Sequence, residues 1–507
     1  MTSQTLREAR KYEEATEKII LEHERPLFHL SARIGWLNDP NGFSFYQGQY
    51  HMFYQYHPYS VNWGPMHWGH AVSEDLLHWT YLPAALAPDS VYDRDGCFSG
   101  SAIELKDGRQ LLMYTGVVKT VEADGSGGEV QTQCIAVGDG IDYEKDPHNP
   151  VILGEDLPEG FSRKDFRDPK LYRRPDGSLR CIAGNRPADG SGQLLLFGCD
   201  EAEGGDVPSY AKWRFLKVLV ENRDRFGKMW ECPDFFPLDG KQVVLASPQD
   251  MLPQGFEYHN GDGTLCLIGS FDEETETFTP EHDQAIDYGI DFYATQTLLT
   301  EDGRRVMIGW MQNWDTCSLR TSHEKWNGQM SLPRELFLKN GRLYQRPVRE
   351  LEALRGEKVE YSGVPVEEGD PAVLELPGIR GRCADLEVEI APKEGEEIYQ
   401  KFAIHFARNE KFHTSVSFRP RESVLKIDRK FSGSRRAIIH QRRSLIPGGE
   451  RGKIKLRLIL DRYSAEIFVN DGEQVLSATF YTPLEADGIS FVCFGKARIN
   501  TVFYPLG

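Results

Sequence analysis

Short runs of alternating apolar and polar residues, set off by Gly, Pro, Asn and Asp, fill the chain from about residue 36 to its end and predict strands almost throughout. Ahead of them, residues 5–24 place Leu6, Ala9, Tyr12, Ile19 and Ile20 at roughly helical spacing and stop at Pro26. That stretch predicts one amphipathic helix, packed on the main domain or on a neighbouring subunit.

Between about residues 26 and 345 the strands come in pairs around a glycine. Gly48, Gly108, Gly177, Gly240 and Gly303 each occupy a turn between two apolar runs, at intervals of 60 to 69 residues. The first pair, Phe43–Tyr46 and Tyr50–Tyr56, reads as a hairpin, with Trp36-Leu37-Asn38-Asp39-Pro40-Asn41-Gly42 supplying turn chemistry at its mouth. A strand–turn–strand unit at a long, steady period signals a repeat architecture. About sixty residues accommodate four strands and their loops, so five units predict five blades around a central channel. Nine positions before the glycines stand Asp39, Ser99, Asp168, Glu231 and Ala294. Equivalent positions of successive blades form a ring, so the repeat gathers three acids that are far apart in sequence.

Residues 346–358 predict a short linker helix. Beyond it, residues 359–507 form short alternating strands without helices, with Asn470-Asp471-Gly472 as a hairpin turn, and predict a β-sandwich. The expected fold class is all-β: a short N-terminal helix within residues 1–25, a five-bladed β-propeller over 26–345 and a C-terminal β-sandwich.

Composition narrows the function more than the fold. A chain of 507 residues needs more than one core, and 40% apolar with 27% charged residues is ordinary for a globular protein. Lys+Arg 59 against Asp+Glu 77 gives a net charge of −18, which argues against nucleic acid or an anionic membrane as partner. The first 25 residues hold no apolar signal core and no membrane-spanning run, so a cytoplasmic location is expected. Nine cysteines, odd in number and without metal-site spacing, read as free thiols in a reducing compartment. The basic run Arg435 to Arg443 reads as a solvated strand face, and a homo-oligomer is left open.

Carboxylates crowded into one pocket cannot all ionise at neutral pH; one is held protonated while another stays charged. That division is what glycosidic cleavage needs: an acid for the leaving oxygen, and a carboxylate that attacks the anomeric carbon or activates water. Any one of these acids alone would more simply cap a turn. Carboxylate rings also bind Ca²⁺, but no Asp-x-Asp-x-Asp loop is present, so no metal or cofactor is expected. Trp36, Phe43, Tyr54, Trp63, Trp68, Phe98, Trp310 and Trp314 fall near blade ends, where aromatics fill space between blades or offer flat faces to a sugar ring. Arg167 could hold Asp168 ionised or fork onto hydroxyls. Cys232 is either a small buried filler or a soft neighbour of Glu231.

These residues resemble glycoside hydrolase family 32, the β-fructofuranosidases that include invertases, fructan exohydrolases and sucrose-6-phosphate hydrolases. The resemblance is carried by Asn38-Asp39-Pro40-Asn41-Gly42, Arg167-Asp168-Pro169 and Glu231-Cys232-Pro233, with Phe98-Ser99-Gly100-Ser101 and Trp63-Gly64 through His70 in support, and it extends into the sandwich. It implies Asp39 as nucleophile, Glu231 as general acid/base and Asp168 as transition-state stabiliser. It further implies Trp36, Asn38, Gln55, Trp63, Phe98, Ser99, Arg167, Tyr293 and Trp310 as substrate contacts. Leu37 departs from the commoner Met, an apolar exchange that leaves the chemistry intact. The activity expected is release of terminal non-reducing β-fructofuranosyl units, with retention, from sucrose and short fructo-oligosaccharides. Sucrose 6-phosphate is the alternative substrate; an arabinan-type five-bladed glycosidase and a non-catalytic fructan-binding propeller are the alternative classes.

Overall fold

A computed structural model describes residues 2–121, 126–187, 189–199, 208–319, 325–367, 369–433 and 438–507. Five sheets follow one another along the chain, each opening on the strand that carries one of the repeat positions. The opening strands are Gly35–Tyr46, Gly96–Glu104, Phe161–Arg173, Trp230–Leu238 and Tyr293–Leu299. They contact one another in cyclic order, the fifth touching the first, and so close a five-bladed propeller with these strands innermost. Closure is reinforced where Trp326–Asn327, from a connection within the fifth blade, adds in parallel to Gly35–Trp36 of the first.

One expectation is corrected at the first blade. The Asn-Asp-Pro-Asn-Gly stretch is not a turn; it lies inside the continuous strand Gly35–Tyr46. Register slips between Leu37 and Pro40 and again between Asn41 and Ser44 interrupt the ladder there. The residues that suit a turn also suit a bulge: Pro40 has no N–H to give the ladder, and Gly42 takes φ +52. Similar slips fall between Phe98 and Gly100, Arg167 and Lys170, Glu231 and Asp234, and Tyr293 and Gln296. Every innermost strand is thus broken at one level, and a bulge re-aims the side chains beside it.

The N-terminal helix is also shorter than expected. It spans Gln4–Glu17, with Ser3 capping Leu6, and the chain then tightens through Ile19 N–H to Thr16 O and Ile20 N–H to Glu17 O before a 3-10 turn at Glu22–Glu24. Its packed face is Leu6, Ala9 and Glu13, while Tyr12 and Ile19 are exposed. Glu13 is buried because its carboxylate accepts from Arg33 (2.9 Å) and from the Ala84 amide (2.9 Å), a polar contact that hydrophobic spacing does not reveal.

A 3-10 helix at Arg349–Leu354 leads into the sandwich, whose two antiparallel sheets have six strands each. Leu386, Val388, Ile404, Phe406, Leu458, Ile467 and Phe491, all fully buried, help fill the space between them. The sandwich docks on the propeller through backbone and charge together. Tyr288 N–H donates to Val475 O (2.8 Å) and Ile290 N–H to Ser477 O (2.7 Å). The hairpin at Gly472 abuts Gln345 so closely that a Cβ would lie 1.7 Å from its carbonyl oxygen. Arg334 bridges Asp287 and Glu466, and Arg429 reaches Asp291 (2.5 Å), all five side chains of these three ion pairs being buried.

His29 completes this clamp, with Nδ1 2.7 Å from Asp461 and Nε2 2.9 Å from Glu466. Burial would lower its pKa, but the two carboxylates outweigh burial and hold the imidazolium up to about 9. A histidine raised in the folded state contributes stability that is complete below its ordinary value of 6.5 and is lost as pH rises through 9. His29→Gln is therefore expected to lower the melting temperature by several degrees at pH 7, on the order of 3 kcal/mol. Calorimetry at pH 7 and pH 10 checks this: the deficit should shrink at the higher pH, and an equal deficit at both would refute the assignment.

Candidate active site

The broken level of the five strands is where the acids meet. Asp39 is buried, with Oδ1 accepting from Asn38 Nδ2 (2.9 Å) and Oδ2 from Ser99 Oγ (2.6 Å). Asn38 is itself oriented by the Trp36 indole N–H (2.7 Å). Asp168 is held in the left-handed region at φ +65, its N–H donating to Thr115 Oγ1 (3.0 Å) and its Oδ2 accepting from the Cys232 amide (2.8 Å). Cys232 and Ala294 have φ +46 and +54. Three non-glycine residues in this conformation on neighbouring strands are strain held at one place, as functional sites often hold it.

Glu231 is held by three side chains. Oε1 accepts from Arg167 Nε (3.0 Å), and Oε2 lies 2.9 Å from Gln249 Nε2 and 2.8 Å from the Tyr293 hydroxyl. Arg167 also pairs with Asp165 (3.1 Å). It therefore serves Glu231 and Asp165 rather than bonding Asp168, its sequence neighbour.

The structure also reassigns Cys232. Its thiol lies 3.5 Å from Asp39 Oδ2 and 3.6 Å from Asp168 Oδ2, so it is wedged between the two aspartates and does not act on Glu231 alone. Burial, followed by the surrounding carboxylates, pushes the thiol well above its usual range and keeps it protonated, a weak donor between two acceptors.

The remaining sequence candidates divide by depth. Trp63 is 43% exposed, with its ring edge-on to half-buried Phe98 (6.0 Å), and these two form an aromatic lip. Trp36 is buried and meets Trp310 at 6.0 Å. Trp310 is fully buried, so it backs the Trp36 ring instead of presenting a face of its own. Gln55 is likewise buried, its amide donating to Cys97 O (2.9 Å) and tying the first blade to the second. Gln249 and Thr115 escaped sequence reasoning. Thr115 lies across from the bulge of its blade and stands seven residues after Gly108, as Gln55 does after Gly48, a repeat that could have found it; Gln249 lies just past its second strand, nine residues after Gly240, where the repeat gives no signal.

Three carboxylates this close cannot ionise independently. Burial, then the charge of Glu231, raises Asp39 to about 6 against the opposing bonds from Ser99 and Asn38. Burial and Glu231 likewise raise Asp168 to about 7, with Arg167 opposing. An acid raised in the folded state costs nothing below its unfolded pKa of 3.8; the cost grows as pH rises and is complete above the folded value. Asp39→Asn should thus be more heat-stable than the native protein at pH 8, on the order of 2–3 kcal/mol, with the gain gone at pH 4. Thermal scans at the two pH values check it, and a loss of stability at pH 8 would refute the burden assigned to this carboxylate.

Buried acids gathered on a propeller axis, beneath a lip of aromatic rings, are the equipment of a glycosidase. The protein's kin bear this out. Residues 29–347 match the glycosyl hydrolases family 32 N-terminal domain and residues 350–503 the family 32 C-terminal domain, so the chain belongs to glycosyl hydrolase family 32. It is 36% identical to a raffinose invertase of Escherichia coli, over 94% of this chain and 93% of that one. It is also 36% identical to a sucrose-6-phosphate hydrolase of Escherichia coli, over 92% and 93%. Its fold superposes on a family 32 β-fructofuranosidase of Bombyx mori, solved as a mutant with sucrose, with TM-score 0.80, 33% identity and coverage of 100% and 99%. Fructan 1-exohydrolase IIa of Cichorium intybus gives TM-score 0.78 at 25% identity, covering 96% and 98%.

Proposed function

We propose that the protein is a retaining β-fructofuranosidase that frees terminal non-reducing fructosyl units from sucrose and short fructo-oligosaccharides. The observation that carries this reading is the trio of Asp39, Asp168 and Glu231, buried at one level of the propeller and each fixed by its own donors. The invertase, fructofuranosidase and fructan exohydrolase names of its relatives supply the sugar.

In the first step Asp39 attacks the anomeric C2 of the fructosyl unit while Glu231 gives its proton to the departing glycosidic oxygen. The C2–O bond breaks, and its electron pair leaves with the oxygen that receives the proton. In the second step water attacks C2, Glu231 takes the water's proton, and the Asp39 ester opens to free fructose. Asn38 and Ser99 fix the attacking carboxylate, which lowers the cost of aligning it. Asp168, braced by the Cys232 amide, is placed to accept fructose hydroxyls and to spread the positive charge that grows at C2 and the ring oxygen. Cys97, Cys134, Cys181, Cys232, Cys266, Cys317, Cys383 and Cys493 are free thiols, which supports a reducing compartment and hence sugars available in the cytoplasm.

The test is fructose release from sucrose, followed by NMR from the first seconds. The β-anomer should appear first and mutarotate later. Initial α-fructose would overturn the retaining mechanism, and sugar binding without any release would favour a binding propeller.

A further inference from the structure

We infer that the leaving-group side of the pocket selects uncharged sugars, so that sucrose is hydrolysed in strong preference to sucrose carrying a phosphate on its glucose. This rests on the fructosidase reading above, in which the general acid faces the departing sugar. The general acid is Glu231, and the chain around it is unusually acidic.

Gln249, which holds Glu231 at 2.9 Å, is followed by Asp250. Met251 and Gly261 exchange backbone hydrogen bonds of 2.8 and 3.0 Å as an antiparallel bridge, which sets Asp250 across from Asp262. The Asp262 amide in turn donates to Asp315 Oδ2 (3.3 Å). Gly261 makes this approach possible: its φ is +95, and a Cβ there would lie 2.1 Å from that same oxygen. Asp315 follows Trp314, whose ring meets Trp310 at 5.1 Å, and Trp310 in turn backs Trp36. Three aspartates therefore stand on the Glu231 side of the aromatic wall, with Asp250 and Asp315 exposed and Asp262 half-buried.

Among the described residues two guanidiniums bear on this side of the pocket, Arg167 through Glu231 and Arg442 through Asp315. Arg167 is engaged by Glu231 and Asp165. Arg442 belongs to the basic run that the sequence suggested was a solvated face; Arg435 and Arg436 of that run lie outside the described residues. Arg442 instead lines a small cavity with Asp262 and is turned toward Asp315 and Asp291, and burial lowers its pKa. Among the described residues the local balance stays negative. Burial and then the charges of Asp315, Glu231 and Asp250 raise the Asp262 carboxyl to about 7. A site that already holds a proton to relieve its own repulsion is a poor host for a phosphate of charge about −1.5 to −2. Sugar hydroxyls, by contrast, donate to carboxylates.

The experiment is kcat/KM for sucrose, sucrose 6-phosphate and 1-kestose at pH 7, at low and high salt, on the native protein and on Asp262→Asn and Asp315→Asn. Sucrose should exceed its 6-phosphate by about tenfold or more, with 1-kestose, also uncharged, on the sucrose side of that gap. Salt should narrow the gap by screening, and each variant should narrow it by raising the relative rate on the phosphorylated substrate. Parity or a preference for the 6-phosphate in the native protein overturns the inference, as does a ratio that neither salt nor either variant moves. No fructose from any of the three sugars would instead count against the fructosidase reading itself.

Discussion

Asp39→Asn should reduce turnover of sucrose on the order of 10⁴-fold or more while leaving the fold intact, because the amide cannot form the ester to C2. The substitution keeps the shape of the side chain, its bonds to Ser99 and Asn38 can be kept in part, and it removes a charge that the pocket tolerates poorly. Loss of activity and gain of heat stability at pH 8 are therefore expected from one variant, an uncommon pairing that simple misfolding cannot imitate. In the native protein the same carboxylate sets the acid limb of the pH–rate profile. Activity should rise as pH increases through about 6, where Asp39 gives up its proton. The apparent value belongs to the coupled trio and not to Asp39 alone. Near-normal turnover in Asp39→Asn would refute its assignment as nucleophile.

Glu231→Ala is expected to show its effect through the leaving group. On sucrose, whose departing oxygen needs a proton, kcat should fall about 10²–10⁴-fold. On a fructosyl substrate with a good leaving group the first step should be nearly spared, so the loss should be much smaller. Equal losses on both substrates would mean that Glu231 acts by position or charge and not as an acid. Tyr293→Phe and Gln249→Ala separate these roles further: each removes one partner of Oε2 and should alter the profile while leaving Asp39 in place.

Parts of this site were legible without coordinates because a propeller converts period into geometry. Gly48, Gly108, Gly177, Gly240 and Gly303 recur at a steady interval, and a ring of blades places equivalent strands around one axis. The count nevertheless misread local structure at Asp39, since Asn, Asp, Pro and Gly break a ladder from within a strand as readily as they end one. It also treated Glu231 as equivalent to Asp39, whereas Glu231 is still paired, to Ser247, at the lip of its bulge. The N-terminal helix misled for another reason. Ile19 and Ile20 sustain a helical spacing past the point where the helix ends, Ile19 is exposed, and one of the packed helical positions is charged Glu13.

The amino-acid order by itself determined the strand-rich class, the number of blades and which three acids lie near one another, because all of these follow from short-range alternation and from a period. Tertiary structure alone decided what those acids touch: that Arg167 answers to Glu231 and not to its neighbour Asp168, that Cys232 is wedged between two aspartates, and that Asp262 and Asp315 converge on the Glu231 side of the pocket. Such contacts join residues far apart in the chain, and their energies depend on distance and burial, quantities that a linear pattern does not contain.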